Sequence, residues 1–340
     1  MRQRWWWLLA VAVLSPLAAL FFGSANLSLD TVWRCLVGLP VDPLDQLIFT
    51  DLRLPRVAAG VLVGAGLAIA GASLQNVTRN GLADPYLFGV VAGAGLGASV
   101  VTVLMGSALA QHPLLAGLLG WLPTATALPI AAFGGALFAV MLVQILAVTS
   151  FARSSEQLLL GGVAISLMLG SLTHFILFVG EPFAANKVLF WLMGSLARVE
   201  SSHLLLLFPV VLICSAVLLL LGRHFDAMLL GDDNARTLGV DAVRLRALAL
   251  VMCAALTAAV VAYCGGIGFV GLMIPHIVRR WLGVTTRTLI LGCLLLGSTF
   301  LVWVDVIARS AVASQEIPIG IITSAIGSVF FLIVMRQRLA

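Results

Sequence analysis

Lysine is almost missing from this chain: Lys187 is the only one in 340 residues. No glycine-rich loop precedes it, so the GxxxxGK[ST] cradle for phosphates cannot be built and ATP hydrolysis by a P-loop is excluded. Charge of either sign is scarce, at 10% of residues where a soluble domain carries roughly a quarter. HExxH, GxSxG and clustered carboxylates are also missing, which leaves an intramembrane enzyme little support. The five cysteines (35, 214, 253, 264 and 293) form no CxxC pair, and four lie in apolar runs. They read as small core residues, with neither a disulfide framework nor a metal site indicated. No basic run is interleaved with aromatics, so the net charge of +5 does not describe a nucleic-acid binder.

What the sequence does have is apolar length, with 61% of residues hydrophobic. That composition describes an all-α polytopic membrane protein in which about ten helices of some 20 residues form one bundle, a single domain over residues 1–340. Apolar runs with polar borders place spans near 5–23, 57–77, 88–107, 125–149, 158–179, 204–221, 247–264, 267–282, 288–308 and 317–335. The first, with a basic start and no A-x-A site after it, reads as a retained helix and not a cleaved signal. Residues 114–122 read as a re-entrant piece and 188–196 as a short helix near one surface. Glycines 60, 64, 66 and 71 in the second span and 89, 93, 95 and 97 in the third let backbones approach closely, which predicts that these two helices are central. His174, inside a span, reads as a packed structural histidine.

Ten spans put both termini on one side. With that side cytoplasmic, 13 basic residues fall inside and 6 outside, summing to the 19 of the composition, in agreement with the positive-inside rule. The longest polar passage, residues 223–246, then faces the cytoplasm. Gly231 breaks the chain there, Asp232 is expected to cap a short helix running through Arg236 and Leu238, and Gly239 supplies a left-handed stop. From this segment alone a solvated loop and a docking knob are equally open. Acids within spans are few; Asp305, with Arg309 one turn on, reads as a structural ion pair.

Four stretches carry a more specific signal: LRLPRV at 52–57, TRNGLADPYLFGV at 78–90, GGIGFVGLMIPHIVRRWLG at 265–283 and EIPIGIITSAIGSVFF at 316–331. In that order, with LLGDDNARTLGV between the second and third, they closely resemble the permease family of bacterial ABC importers for iron chelates, haem and vitamin B12. One departure is Gly81, where the family usually has proline. The resemblance implies a type II importer subunit in the bacterial inner membrane, working as a homodimer with its pathway at the dimer interface. Two cytosolic ATPase subunits would carry ATP and Mg, this chain binding no cofactor itself, and a periplasmic substrate-binding protein would dock on the other face.

The resemblance also implies residue roles. Leu230, Gly231, Asp232, Asp233, Ala235, Arg236, Leu238 and Gly239 match the element that seats in the ATPases. Arg53, Arg56 and Arg309 match positions that pair with glutamates of the binding protein, where guanidiniums would meet carboxylates in bidentate fashion. Asn80, Leu82, Ser154 and Ser155 match the cytoplasmic gate. Pro275, inside the eighth span, is expected to free a backbone carbonyl that a neighbouring helix must satisfy. The implied cargo is an iron-containing chelate, haem or siderophore, with cobalamin the alternative. The reading from another class is an ion-coupled secondary transporter, opposed by the shortage of membrane acids and of matched halves with interrupted helices.

Overall fold

A computed structural model describes residues 2–23, 27–106, 124–148, 155–312 and 315–339. The expected re-entrant piece at 114–122 and gate residue Ser154 lie outside these residues. All regular structure among them is helical, as lipid demands of a chain that must satisfy its backbone polar groups internally. In order the helices are α1 (Arg2–Ala19), α2 (Leu29–Val37), α3 (Pro43–Leu47), α4 (Leu54–Thr78), α5 (Val90–Gly106), α6 (Thr124–Val148), α7 (Ser155–Val179) and α8 (Pro182–Leu192). They continue as α9 (Ser201–Leu220), α10 (Gly222–Leu229), α11 (Asp232–Thr237), α12 (Ala242–Cys264), α13 (Val270–Trp281), α14 (Thr286–Ser310) and α15 (Ile319–Leu339). Seven described segments are long and apolar enough to cross a bilayer: Pro43–Thr78, Thr126–Leu146, Leu160–Val179, Ser201–Leu220, Ala242–Cys264, Thr286–Ser310 and Ile319–Arg336. Helices also occupy the other three expected spans, α1, α5 and α13, of 18, 17 and 12 residues, but these are not among the seven.

The glycines act as predicted in α4, where twenty of 25 residues are buried. A Cβ on Gly64 would stand 2.2 Å from the carbonyl oxygen of Gly297 in α14, and one on Gly71 would stand 2.0 Å from that of Gly271 in α13. Backbone touches backbone at both crossings, so α4 is the axle of the bundle. In α5 the glycines act the same way, a Cβ on Gly93 or Gly97 standing 2.2 and 2.0 Å from the carbonyl oxygens of Gly135 and Ala131 in α6, while Val90, Ala94 and Ala98 pack beside Ala258, Val261 and Ala262 of α12. His174 is exposed on α7 and not packed in the core.

Pro275 lies within α13, where its missing N–H leaves the carbonyl of Gly271 without a helical donor. Gln75 of α4 supplies one, its side-chain amide donating to that oxygen at 3.1 Å. Thus the carbonyl freed by proline is satisfied from the neighbouring helix across a backbone-to-backbone crossing.

Two regions differ from the spans drawn on sequence. Residues 24–56, drawn as an outer loop, hold α2 and α3. Ser28 accepts from the Thr31 N–H at 3.0 Å to start α2, Gly38 (φ 76°) ends it, and Asp42 with Pro43 starts α3. A π-type turn over Ile48–Arg53 then runs into α4 without a break. The eighth span begins at Val270, not 267, because 265–269 is unwound: Gly265 and Phe269 have φ of 70° and 67°. Several backbone groups in and beside it are held by protein. The N–H of Ile267 donates to the Tyr86 hydroxyl at 2.7 Å, and the carbonyl of Cys264 accepts from the Ser195 N–H at 2.8 Å.

Candidate functional site

α4 is roughly 37 Å long at 1.5 Å per residue, and a polar cluster sits at each of its ends. At the C-terminal end, Gly231 (φ 111°) turns the chain between α10 and α11, and a paired hydrogen-bond stop closes α11. Val240 N–H donates to Ala235 O and Gly239 N–H to Arg236 O, both at 2.9 Å, with Gly239 at φ 81°. This is the left-handed helix stop expected from the glycine. Asp232, however, is not the cap. It is the first helical residue, and its carboxylate turns away to accept from Arg79, at the end of α4, and from Arg246 of α12 at 3.3 Å. Burial pushes this carboxyl up, but Arg246 and Arg79 together outweigh it and hold it below the usual carboxylate range. Arg79 also donates through Nε to the carbonyl of Met228 at 2.8 Å, so one guanidinium clasps both arms of the turn.

The expected coupling residues divide by direction. Ala235 is fully buried, packing α11 onto α10, and Asp232 is committed to its two arginines. Leu230 and Leu238 are 64% and 63% exposed, and Asp233 and Arg236 also point outward. α11 is therefore a stiff knob with apolar and charged groups on its free side.

Beneath it lies a polar rack that the sequence reading did not assemble. Arg279 of α13 donates to the side-chain oxygens of Gln75 at 2.5 Å and Asn76 at 3.0 Å. Asn76 donates to the Thr286 hydroxyl at 3.0 Å, while the N–H and hydroxyl of Thr286 reach one carboxylate oxygen of Asp226 in α10 at 2.8 and 2.5 Å. The only hint in the sequence is the polar pair Gln75 and Asn76 at the end of an otherwise apolar run.

Of the expected gate residues, Asn80 adjoins this rack, its N–H donating to the Gln75 carbonyl at 3.1 Å. Asn80 is half-buried and its side chain accepts from the Leu82 N–H at 2.9 Å, which sets Leu82 outward and 43% exposed. Ser155 begins α7. A Cβ on Gly81 would meet nothing within 4 Å. Asp84 caps the turn Pro85–Phe88 by accepting from the Tyr86 N–H at 2.8 Å, and burial pushes its carboxyl up to about 6.

At the other end of α4, Arg53, Arg56 and Arg309 line one cavity of 300 Å³ together with Arg198. Arg53 and Arg309 are almost wholly buried. Their guanidiniums donate to the carbonyls of Leu20 at 2.6 Å and Ala19 at 2.9 Å. These are the end of α1, where the helix dipole favours a cation. Arg56 donates to Asp305 at 2.9 and 3.1 Å and to Glu316 at 2.7 Å. Asp305 holds Arg309 as well, at 3.5 Å, so the pair expected from their spacing is a triad.

An all-helical bundle with seven described segments long and apolar enough to cross a bilayer is the architecture of a membrane permease. The chain belongs to the FecCD transport family, whose model matches residues 8–337. It is 40% identical over 293 residues to the cobalamin import system permease protein of Halobacterium salinarum, covering 86% of this chain and 74% of that one. To the hemin transport system permease protein of Yersinia pestis it is 32% identical over 332 residues, covering 97% and 95%. Among solved structures it matches a transporter assigned to the metal-chelate ABC type, in an inward-facing conformation. That match has a TM-score of 0.84 at 29% identity over 99% of this chain and 100% of the other.

Proposed function

We propose that two copies of this chain form the pathway of an importer that moves an iron-containing chelate, haem or siderophore, from periplasm to cytoplasm, driven by ATP hydrolysis with Mg in two separate ATPase subunits. The α11 end of the bundle is cytoplasmic in this reading, as are both termini, and the arginine-lined mouth faces the periplasmic binding protein. The single observation that carries it is α11 itself: a short helix flanked by two exposed leucines, Leu230 and Leu238, and clamped to α4 and α12 through one carboxylate. A push on that knob reaches α4 through Arg79, and α13 and α14 through Arg279, Asn76 and Thr286. Alternating access is then a rotation of rigid elements about the dimer interface. Docking falls chiefly on the exposed Arg198 at the rim, with Arg56 behind it held by Asp305 and Glu316, since Arg53 and Arg309 brace α1. Cobalamin is the second cargo reading, favoured by the likeness to the Halobacterium permease.

The ion-coupled reading is opposed by the shortage of acids within the spans, where Asp305 is committed to Arg56 and Arg309. No group of three metal-ligating side chains occurs among the described residues.

Asp232→Ala tests the transmission. Its two ion pairs are more than a third exposed on the carboxylate side, so each is worth only about 0.2–1 kcal/mol and the fold survives their loss. Uptake by cells co-expressing the ATPase and binding protein is expected to fall about tenfold or more, while chain abundance in the membrane stays unchanged; each tenfold is about 1.4 kcal/mol of lost coupling. Uptake at the parental rate would remove the proposed role of α11.

A further inference from the structure

Between α1 and α4 the chain makes a helix that no span accounts for. α2 is nine residues long, and at about 100° per residue its side chains fall into three sectors. Val32 faces the protein, packing among Ala19 and Leu20 where α1 ends, Val57 in the first turn of α4, and Val302 and Val306 toward the end of α14. Leu29, Trp33, Leu36 and Val37 form a second sector, wholly apolar and exposed, with Trp33 61% bare. Asp30 and Arg34 lie in the third, paired with each other at 3.3 Å.

The packing of Val32 fixes the level of α2. α1, α4 and α14 all begin or end there, so α2 lies where the apolar bundle gives way to the mouth. Protein on one side, an apolar strip along one edge and a neutral ion pair along the other are what a helix lying flat at a bilayer boundary requires, its apolar face sunk about 5–10 Å below the headgroups. Tryptophan favours that depth. Phe22 and Trp303, in edge contact with ring centroids 6.0 Å apart, expose two more aromatics at the same end of the bundle. An exposed apolar strip marks a contact. Docking of a partner protein would not need the strip to lie level with the ends of three helices; contact with lipid does. Because Asp30 and Arg34 cancel each other's charge, that contact does not call for an anionic headgroup.

We propose that α2 is an in-plane membrane anchor, its face of Leu29, Trp33, Leu36 and Val37 seated in the acyl chains just beneath the headgroups of the leaflet on the side of the arginine-lined mouth. The carbonyls of Ala19 and Leu20, against which Val32 packs, receive Arg309 and Arg53. The anchor and the mouth therefore share one support. Calling that leaflet the periplasmic one rests on the function proposed above; the lipid contact itself does not.

The full-length chain is placed, without ATP or partner proteins, in nanodiscs of phosphatidylcholine carrying bromine on the upper part of the acyl chain. The emission of Trp33 is taken as the difference from Trp33→Phe, which keeps an aromatic ring at that position. Brominated lipid is expected to quench this emission at least about threefold more than aqueous iodide does, as burial at headgroup depth implies. Moving the reporter by one residue, with Trp33→Phe and Arg34→Trp together, should reverse the ratio. Residue 34 lies in the polar sector, and the exposed ion pair lost with it contributes little to the fold. Admixed phosphatidylglycerol should change neither ratio. Stronger quenching of Trp33 by iodide than by brominated lipid would mean a solvated face, and quenching by neither would mean a face covered by protein, a second copy included. Equal quenching by brominated lipid at 33 and 34 would mean an immersed helix, and a requirement for phosphatidylglycerol would mean a contact made by charge. Each of these results overturns the anchor. Uptake enters none of them, so the anchor and the importer fail separately.

Discussion

Asp305→Ala is expected to destabilise the bundle by about 3–5 kcal/mol, the range for removing one partner of a buried ion pair. The Asp305 and Arg309 side chains are 2% and 3% exposed, and that of Arg56 11%. Without the carboxylate, two guanidiniums remain in the protein interior with too little negative charge beside them. Asp305→Asn keeps an acceptor but not the charge and should fall between the two. The check is denaturant unfolding of the purified chain in detergent, with Arg56→Met and the double variant completing a cycle. Asp305→Ala and Arg56→Met should couple by more than about 1 kcal/mol; additivity within about 0.5 kcal/mol would mean that the triad is not a unit.

Gly71→Ala should be nearly as damaging, for a steric reason. The added carbon would lie 2.0 Å from the Gly271 oxygen and 2.4 Å from that residue's backbone carbons, and no side chain is there to yield. Overpacking of this kind costs about 1–3 kcal/mol or more. The displacement also strikes the carbonyl that Pro275 leaves open and Gln75 fills. Gly66→Ala, on the same helix, is the control, because its nearest neighbour is a Val211 methyl at 3.5 Å. Removing a helical glycine there should be neutral or favourable by up to about 1 kcal/mol. The yield and melting temperature of folded protein should separate the two variants; equal behaviour would mean that the α4–α13 crossing is looser than described.

The features legible in the sequence are those whose physics is local. Charges in an apolar chain must reach water, which marks residues 223–246, and glycine at φ 81° is what a left-handed stop at Gly239 requires. Pro275 announces an unsatisfied carbonyl wherever the fold puts it. Partners are another matter. An arginine at the border of an apolar run looks the same whether it meets headgroups, a binding protein or the end of α1, so the burial of Arg53 and Arg309 could not be read. Asp232 matches a cap by residue type, but Gly231 already makes the turn and frees the carboxylate for Arg79 and Arg246. The stretch GGIGF is apolar and counts as helix by hydropathy, yet it unwinds at Gly265, where the backbone passes so close to the Trp191 carbonyl that a Cβ would stand 2.0 Å from its oxygen. Gln75, Asn76, Arg279 and Thr286 lie up to 211 residues apart and come together only through the packing of α4 against α13 and α14.

The proposed pathway is moved from outside itself. The most direct test is transport by proteoliposomes holding the purified chain, alone or with the proposed ATPase subunits, loaded binding protein outside and ATP inside. Cargo should accumulate only in the complete assembly and only with ATP, with no uptake by the chain alone under a proton or sodium gradient. Gradient-driven accumulation by the chain alone would contradict it.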